Sequence, residues 1–114
     1  MAAGVFNGKV ISDNSSTAQA CRFSRTNYAN ANQAAKDTKG EVLTYNDKVI
    51  SSVYTSCNGG RTVSSQEKWG GYRAFLIAQD DPWDAATGKT KSGHGVGMSQ
   101  VGAIYAAQQG FNYK

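Results

Sequence analysis

Residues 41–54 read Glu41-Val42-Leu43-Thr44-Tyr45-Asn46-Asp47-Lys48-Val49-Ile50-Ser51-Ser52-Val53-Tyr54. Two runs rich in β-branched and aromatic residues flank the pair Asn46-Asp47. Both residues of that pair tolerate positive φ, so the stretch predicts a β-hairpin closed by a two-residue turn. Its alternation is imperfect and does not say which face is buried. Upstream, Lys9-Val10-Ile11 suits a short strand, and residues 12–17 have the composition of a loop. Residues 29–38 carry helix formers, with Asn30 or Asn32 as N-cap and Gly40 suited to the C-terminal cap. Downstream, Asp80-Asp81-Pro82-Trp83-Asp84 reads as a turn and residues 85–92 as a loop. Val101, Ile104, Tyr105 and Gln108 have helical spacing, which predicts a helix over about 99–109, stopped by Gly110. The expectation is one α+β domain over 1–114, with a central β-hairpin (about 41–54), short helices and a C-terminal helix.

Composition narrows the function classes. The chain has 114 residues, 39% hydrophobic and 18% charged, with 13 glycines and one proline. That describes a polar, folded chain with many turns. The formal charge is +4, but the twelve cations are scattered and no zinc-finger, helix-turn-helix or RNA-binding signature accompanies them. A solvated basic surface therefore explains the charge better than a nucleic-acid partner does. No stretch approaches the ~20 apolar residues of a membrane span, and residues 1–6 lack the pattern of a signal peptide. A single histidine, His94, with Cys21 and Cys57 makes a Cys/His zinc site an unsuitable reading, and no cofactor is implied. The two cysteines fit either a disulfide in an oxidising compartment or two buried thiols. Gly88-Lys89-Thr90-Lys91 lacks the upstream glycine and strand of a phosphate-binding loop.

Two stretches carry the polar chemistry. Gly93-His94-Gly95-Val96-Gly97-Met98-Ser99-Gln100 places an imidazole, a hydroxyl and an amide on bare backbone at a helix start, which suits a polar ligand such as a sugar. The blander reading is a structural histidine bonded to backbone. Tyr54, Ser56, Cys57, Asn58, Gly59, Gly60, Arg61 and Thr62 set polar side chains at a strand end, and taken alone they are better explained as ordinary turn residues. A Cys57–His94 nucleophile pair requires the two to lie within hydrogen-bond reach. Glycoside cleavage needs a carboxyl acid. Of the two glutamates, Glu41 begins the hairpin, and Glu67 is the catalytic candidate because it precedes Trp69, which is either a sugar platform or a core residue.

Three segments in order resemble the SpoIID/LytB domain family. Residues 38–46, Thr38-Lys39-Gly40-Glu41-Val42-Leu43-Thr44-Tyr45-Asn46, are similar to its T-x-G-x-V-L-T-Y-N-G stretch. Tyr54 to Thr62 with Trp69-Gly70 is similar to its Y-x-S-x-x-G-G-x-T…W-G. Gly93 to Gln100 with Gly102-Ala103 resembles its G-H-G-V-G-M-S-Q-x-G-A. The resemblance covers residues 38–114, while residues 1–30 match loosely.

This resemblance implies an extracytoplasmic protein, secreted or in the cell wall, working on peptidoglycan glycan strands in sporulation or wall remodelling. Catalytic members are lytic transglycosylases, in which one Glu protonates the glycosidic oxygen and helps the muramyl 6-hydroxyl close an anhydro ring, without metal or cofactor. Other members are amidase enhancers, for which a cell-wall amidase is the partner. The family's catalytic Glu lies upstream, before an A-x-A-x-x-A-R-T-Y-A-like run, and this sequence carries neither. The expectation is a C-terminal portion of the domain that supplies a substrate groove. Substrate positioning then falls to Tyr54, Ser56, Thr62, Trp69, His94, Ser99 and Gln100, with Gly59, Gly60, Gly95 and Gly97 shaping the groove.

Overall fold

The computed structural model describes the chain from Tyr28 to Lys114, together with the backbone of residues 5–6 and 9–10. Two compact units emerge, Met1–Glu41 and Val42–Lys114. In the first, β1 (Val5–Phe6) pairs antiparallel with β2 (Lys9–Val10), which places a strand at the expected Lys9-Val10. Helix α1 (Ala29–Asp37) buries no residue. It starts at Tyr28 rather than at Asn30 or Asn32, without a side-chain cap bond. The Asn32 amide already donates to the Tyr28 carbonyl, so both asparagines lie inside the first turn. After Thr38 the chain leaves the helix through Gly40, at φ +84°.

The second unit opens with the expected hairpin. Strands β3 (Thr44–Tyr45) and β4 (Lys48–Val49) pair antiparallel, and the Ile50 amide donates to the Leu43 carbonyl. Asn46 and Asp47 both take positive φ, 49° and 60°, as the mirror-image hairpin turn demands. The ladder is shorter than residues 41–54. Strand β5 (Tyr54–Thr55) leaves the hairpin and pairs in parallel with β6 (Met98–Ser99), Tyr54 against Met98 and Thr55 against Ser99.

Three helices complete the unit. Helix α2 (Ser65–Trp69) is capped by Ser64, whose side chain accepts from the Glu67 amide, and closed by Gly70 in the left-handed region. Residues 80–84 do not form a simple turn: α3 (Pro82–Ala85) starts there. The Asp81 side chain accepts from the Asp84 amide, and Pro82 occupies the first turn, where its missing N–H costs nothing. Helix α4 (Gln100–Gln108), within a residue of its expected bounds, is capped by Ser99 through the Gly102 amide. It packs on α3 because Gly102 has no side chain. A β-carbon there would lie 3.1 Å from the Asp84 nitrogen and 3.3 Å from an Asp81 carboxylate oxygen.

The interior is small and polar. Among the described residues, the buried apolar side chains are Cys57, Leu76 and Val96, against buried Thr55, Asn58, Thr62, Ser65, Asp84 and Ser99. Hydrogen bonding therefore organises this core as much as apolar burial does, and no buried side-chain polar atom among the described residues lacks a partner. No described helix is long and apolar enough to cross a membrane.

Candidate functional site

Successive strand residues point to opposite faces, and this sorts the polar residues of the β5–β6 pair. Thr55, Cys57 and Ser99 are buried, while Tyr54, Ser56, Met98 and Gln100 are exposed. The Val101 amide donates to the Ser56 carbonyl, which carries the pairing one step past the strands. Tyr54, Ser56 and Gln100, far apart in sequence, thus share one outward face with Met98. The approach of the two strands depends on Gly97. It sits at φ +76°, and a β-carbon there would fall 2.1 Å from the Val53 carbonyl oxygen. Gly97 and Met98 also line a groove of about 630 Å³ together with Val53, Phe75 and Trp83.

Beneath that face, Asp84 is fully buried. Its carboxylate accepts from the amides of Asn58 (2.9 Å), Gly59 (3.0 Å) and Gly60 (3.1 Å), from the Cys57 thiol (3.3 Å) and from the Ser99 hydroxyl. Asn58 in turn donates from Nδ2 to Asp81 (2.7 Å) and accepts from the Gly60 amide (2.8 Å). The Cys57-Asn58-Gly59-Gly60 turn is therefore wound around one anion that α3 delivers and Ser99 locks to the start of α4. Burial is the largest single influence on Asp84 and pushes its pKa up. The Ser99 hydroxyl, the Asn58 amide, the Cys57 thiol and the Gly59 amide together outweigh it and hold the carboxyl below its ordinary value.

Cys57 is a free, buried thiol. Burial pushes its pKa up, Asp84 adds to this, and the Gly59 amide and Lys89 only partly oppose it. Its hydrogen bonds go to Asp84 and to the Lys89 carbonyl (3.7 Å), and none joins it to His94. The Cys–His nucleophile pair is therefore not assembled, and the neutral thiol is a poor nucleophile. Native Cys57 is expected to resist iodoacetamide at neutral pH and to react fully in urea, as read by mass spectrometry of its peptide. Rapid native labelling would contradict this burial. Cys21 lies outside the described residues, as does any pairing that involves it.

His94 is half-buried and accepts at Nδ1 from the Val96 amide (3.0 Å), which places the proton of the neutral ring on Nε2. Its ring lies 5.2 Å from that of Trp69, tilted by 56°, so the structure joins these two predicted residues. Trp69 is not a core residue, being 52% exposed. Thr62 and Ser99 are placed differently from Tyr54, Ser56 and Gln100: both are buried and spend their hydroxyls inside the protein. Thr62 donates to the Ile77 or Gln79 carbonyl and accepts from the Gln79 amide. Ser99 serves Asp84 and the Gly102 amide. Gly59 is exposed, Gly60 half-buried and Gly95 buried. Glu67 is exposed on α2, outside any enclosed site.

Sequence reasoning missed Asp84, which organises the site. A signal was present in Asp81-Pro82-Trp83-Asp84, where a capping residue, a proline at the first helical position and an acid three residues past the cap form a helix-start pattern. Among the described residues, no group of three or more His, Cys, Asp or Glu is placed to hold a metal ion.

The chain is 44% identical over 62 residues to the amidase enhancer of Bacillus subtilis (strain 168), a stretch that is 54% of this chain and 9% of that protein. No known family profile and no solved structure matches the chain.

Proposed function

We propose that this chain is a wall-facing module of an extracytoplasmic protein that promotes the action of a cell-wall amidase on peptidoglycan. The observation that carries the reading is the 44% identity to a protein named for enhancing an amidase. The site geometry supports a binding role. The central carboxylate, Asp84, is ionised and committed to five donors inside the protein, so it has no proton to give to a leaving group. What faces outward is a set of hydroxyl, amide and aromatic groups, namely Tyr54, Ser56, Gln100 and Trp69 beside His94, which suits contact with glycan strands.

The test is release of stem peptides from purified peptidoglycan by a cell-wall amidase, with and without the chain, together with mass spectrometry of the glycan. Faster release without anhydro-muramyl ends is expected. Anhydro-muramyl ends formed by the chain alone favour the second reading, a lytic transglycosylase, which the SpoIID/LytB-like motifs also imply; Glu67 would then be the first residue to replace. An unchanged release rate overturns the amidase reading.

A further inference from the structure

The turn from Lys91 to Val96 and the end of α2 bring together groups with unused binding capacity. The Trp69 indole is half exposed and meets the His94 ring. His94 spends Nδ1 on the Val96 amide and keeps its Nε2 proton as a donor, which no described residue accepts. Lys91 has no ion pair; the salt bridge among the described residues is Arg61 with Asp80. Lys91 is exposed, and the end of its side chain lies over Gly95. A β-carbon on Gly95 would lie 2.7 Å from Lys91 Cε and 3.1 Å from its Nζ, so the ammonium is drawn back over the residue that follows His94. Ordering a long cationic side chain this way costs rotamer entropy, and no anion among the described residues pairs with it. Lys68, next to Trp69, and Lys89, two residues before Lys91, add to the positive charge of these segments.

We infer that Lys91, His94 and Trp69 form a subsite for a saccharide that carries a carboxylate, with Lys91 setting the preference for the acidic sugar over a neutral one. The apolar face of a sugar ring stacks on the indole, a ring oxygen or acetamido carbonyl accepts from His94 Nε2, and the carboxylate pairs with the Lys91 ammonium. This deepens the proposed wall-facing role and rests on it for the source of the sugar.

The experiment titrates the whole chain with N-acetylmuramic acid, glucuronic acid and N-acetylglucosamine and follows the Trp69 indole N–H by NMR. The acidic sugars are expected to shift that signal with an affinity about fivefold above the neutral one, a difference typical of a partly exposed ion pair, and high salt should erase the preference. Lys91→Met keeps the aliphatic stem over Gly95 and is expected to bring the acidic sugars down to the neutral level. Equal binding of both acids identifies the carboxylate alone as the recognised group, whereas muramic acid alone binding tightly identifies wall glycan as its source. Three results overturn the subsite: equal binding of acidic and neutral sugars, a preference that survives Lys91→Met, or no shift of the Trp69 signal with any sugar. Amidase stimulation measured in parallel separates the two claims. Stimulation without sugar preference sinks the subsite alone, and sugar preference without stimulation sinks the amidase role alone.

Discussion

Asp84→Asn is expected to lower the stability of the chain by about 3 kcal/mol or more, the scale on which removal of a buried, multiply bonded charge acts. For a unit of this size that corresponds to a fall in melting temperature of roughly 12–24 °C, measured by circular dichroism. Asparagine is nearly isosteric, so the loss is electrical rather than steric. One carboxylate oxygen becomes an NH₂ donor among five groups that all donate, namely the amides of Asn58, Gly59 and Gly60, the Cys57 thiol and the Ser99 hydroxyl. Rotating the new amide relieves one oxygen position and exposes the other. Ser99→Ala removes one donor and the α4 cap, and is expected to cost about 1–2 kcal/mol. A melting temperature unchanged to within ~4 °C in Asp84→Asn would show that the anion does not organise the turn.

The same residue sets the acid limit. The folded-state pKa of Asp84 lies below its ordinary value of 3.8. Its contribution is therefore fully present above that value. Stability falls as pH drops below 3.8, because the unfolded chain takes up the proton first, and the contribution is gone once pH passes the lowered folded value. Melting temperature plotted against pH should bend downward in this acid window, and the part of the bend owed to Asp84 should vanish in Asp84→Asn. Cys57 acts at the other end. Its raised pKa contributes stability below the ordinary thiol value of 9.0 that is lost as pH rises through the folded value.

Gly97→Ala is the second large effect. The new methyl group would have to occupy a point 2.1 Å from the Val53 carbonyl oxygen, which is backbone and has no rotamer by which to move aside. The φ of +76° adds strain for any residue with a β-carbon. The expected outcome is a loss of at least ~3 kcal/mol. Hydrogen exchange should localise it: the Met98 amide, which donates to Val53 at 3.2 Å, loses protection first. A variant that melts within a few degrees of the parent, with Met98 still protected, would refute the close approach.

Local signals in the sequence were reliable where local physics decides. Asn46-Asp47 announced its turn because few residues accept positive φ in succession, and the Ser99-to-Gly110 helix carried both its cap and its stop. The hairpin was drawn too long because residues 48–54 keep strand composition throughout, while the partner that captures Tyr54–Thr55 lies beyond two further helices, α2 and α3. Nothing in residues 54–55 encodes a parallel partner at 98–99. The site was legible in part. The motif around His94 drew attention to that residue, and Trp69 was singled out beside Glu67, but their ring contact was not foreseeable. Thr62 and Ser99 looked like ligand-facing hydroxyls because sequence does not distinguish a hydroxyl that meets water from one that meets a buried carbonyl or carboxylate.

The parallel pairing has a kinetic consequence. Tyr54 and Met98 stand 44 positions apart, so the chain must close a long loop before the first bond of that ladder offsets the entropy lost. Helices α2, α3 and α4 can flicker into existence locally, but the face that gathers Tyr54, Ser56, Met98 and Gln100 exists only after the last turn of the chain has returned to β5. Until then Tyr54–Thr55 is a bare strand edge open to other chains, and slow refolding with concentration-dependent aggregation follows from the same contact that assembles the site.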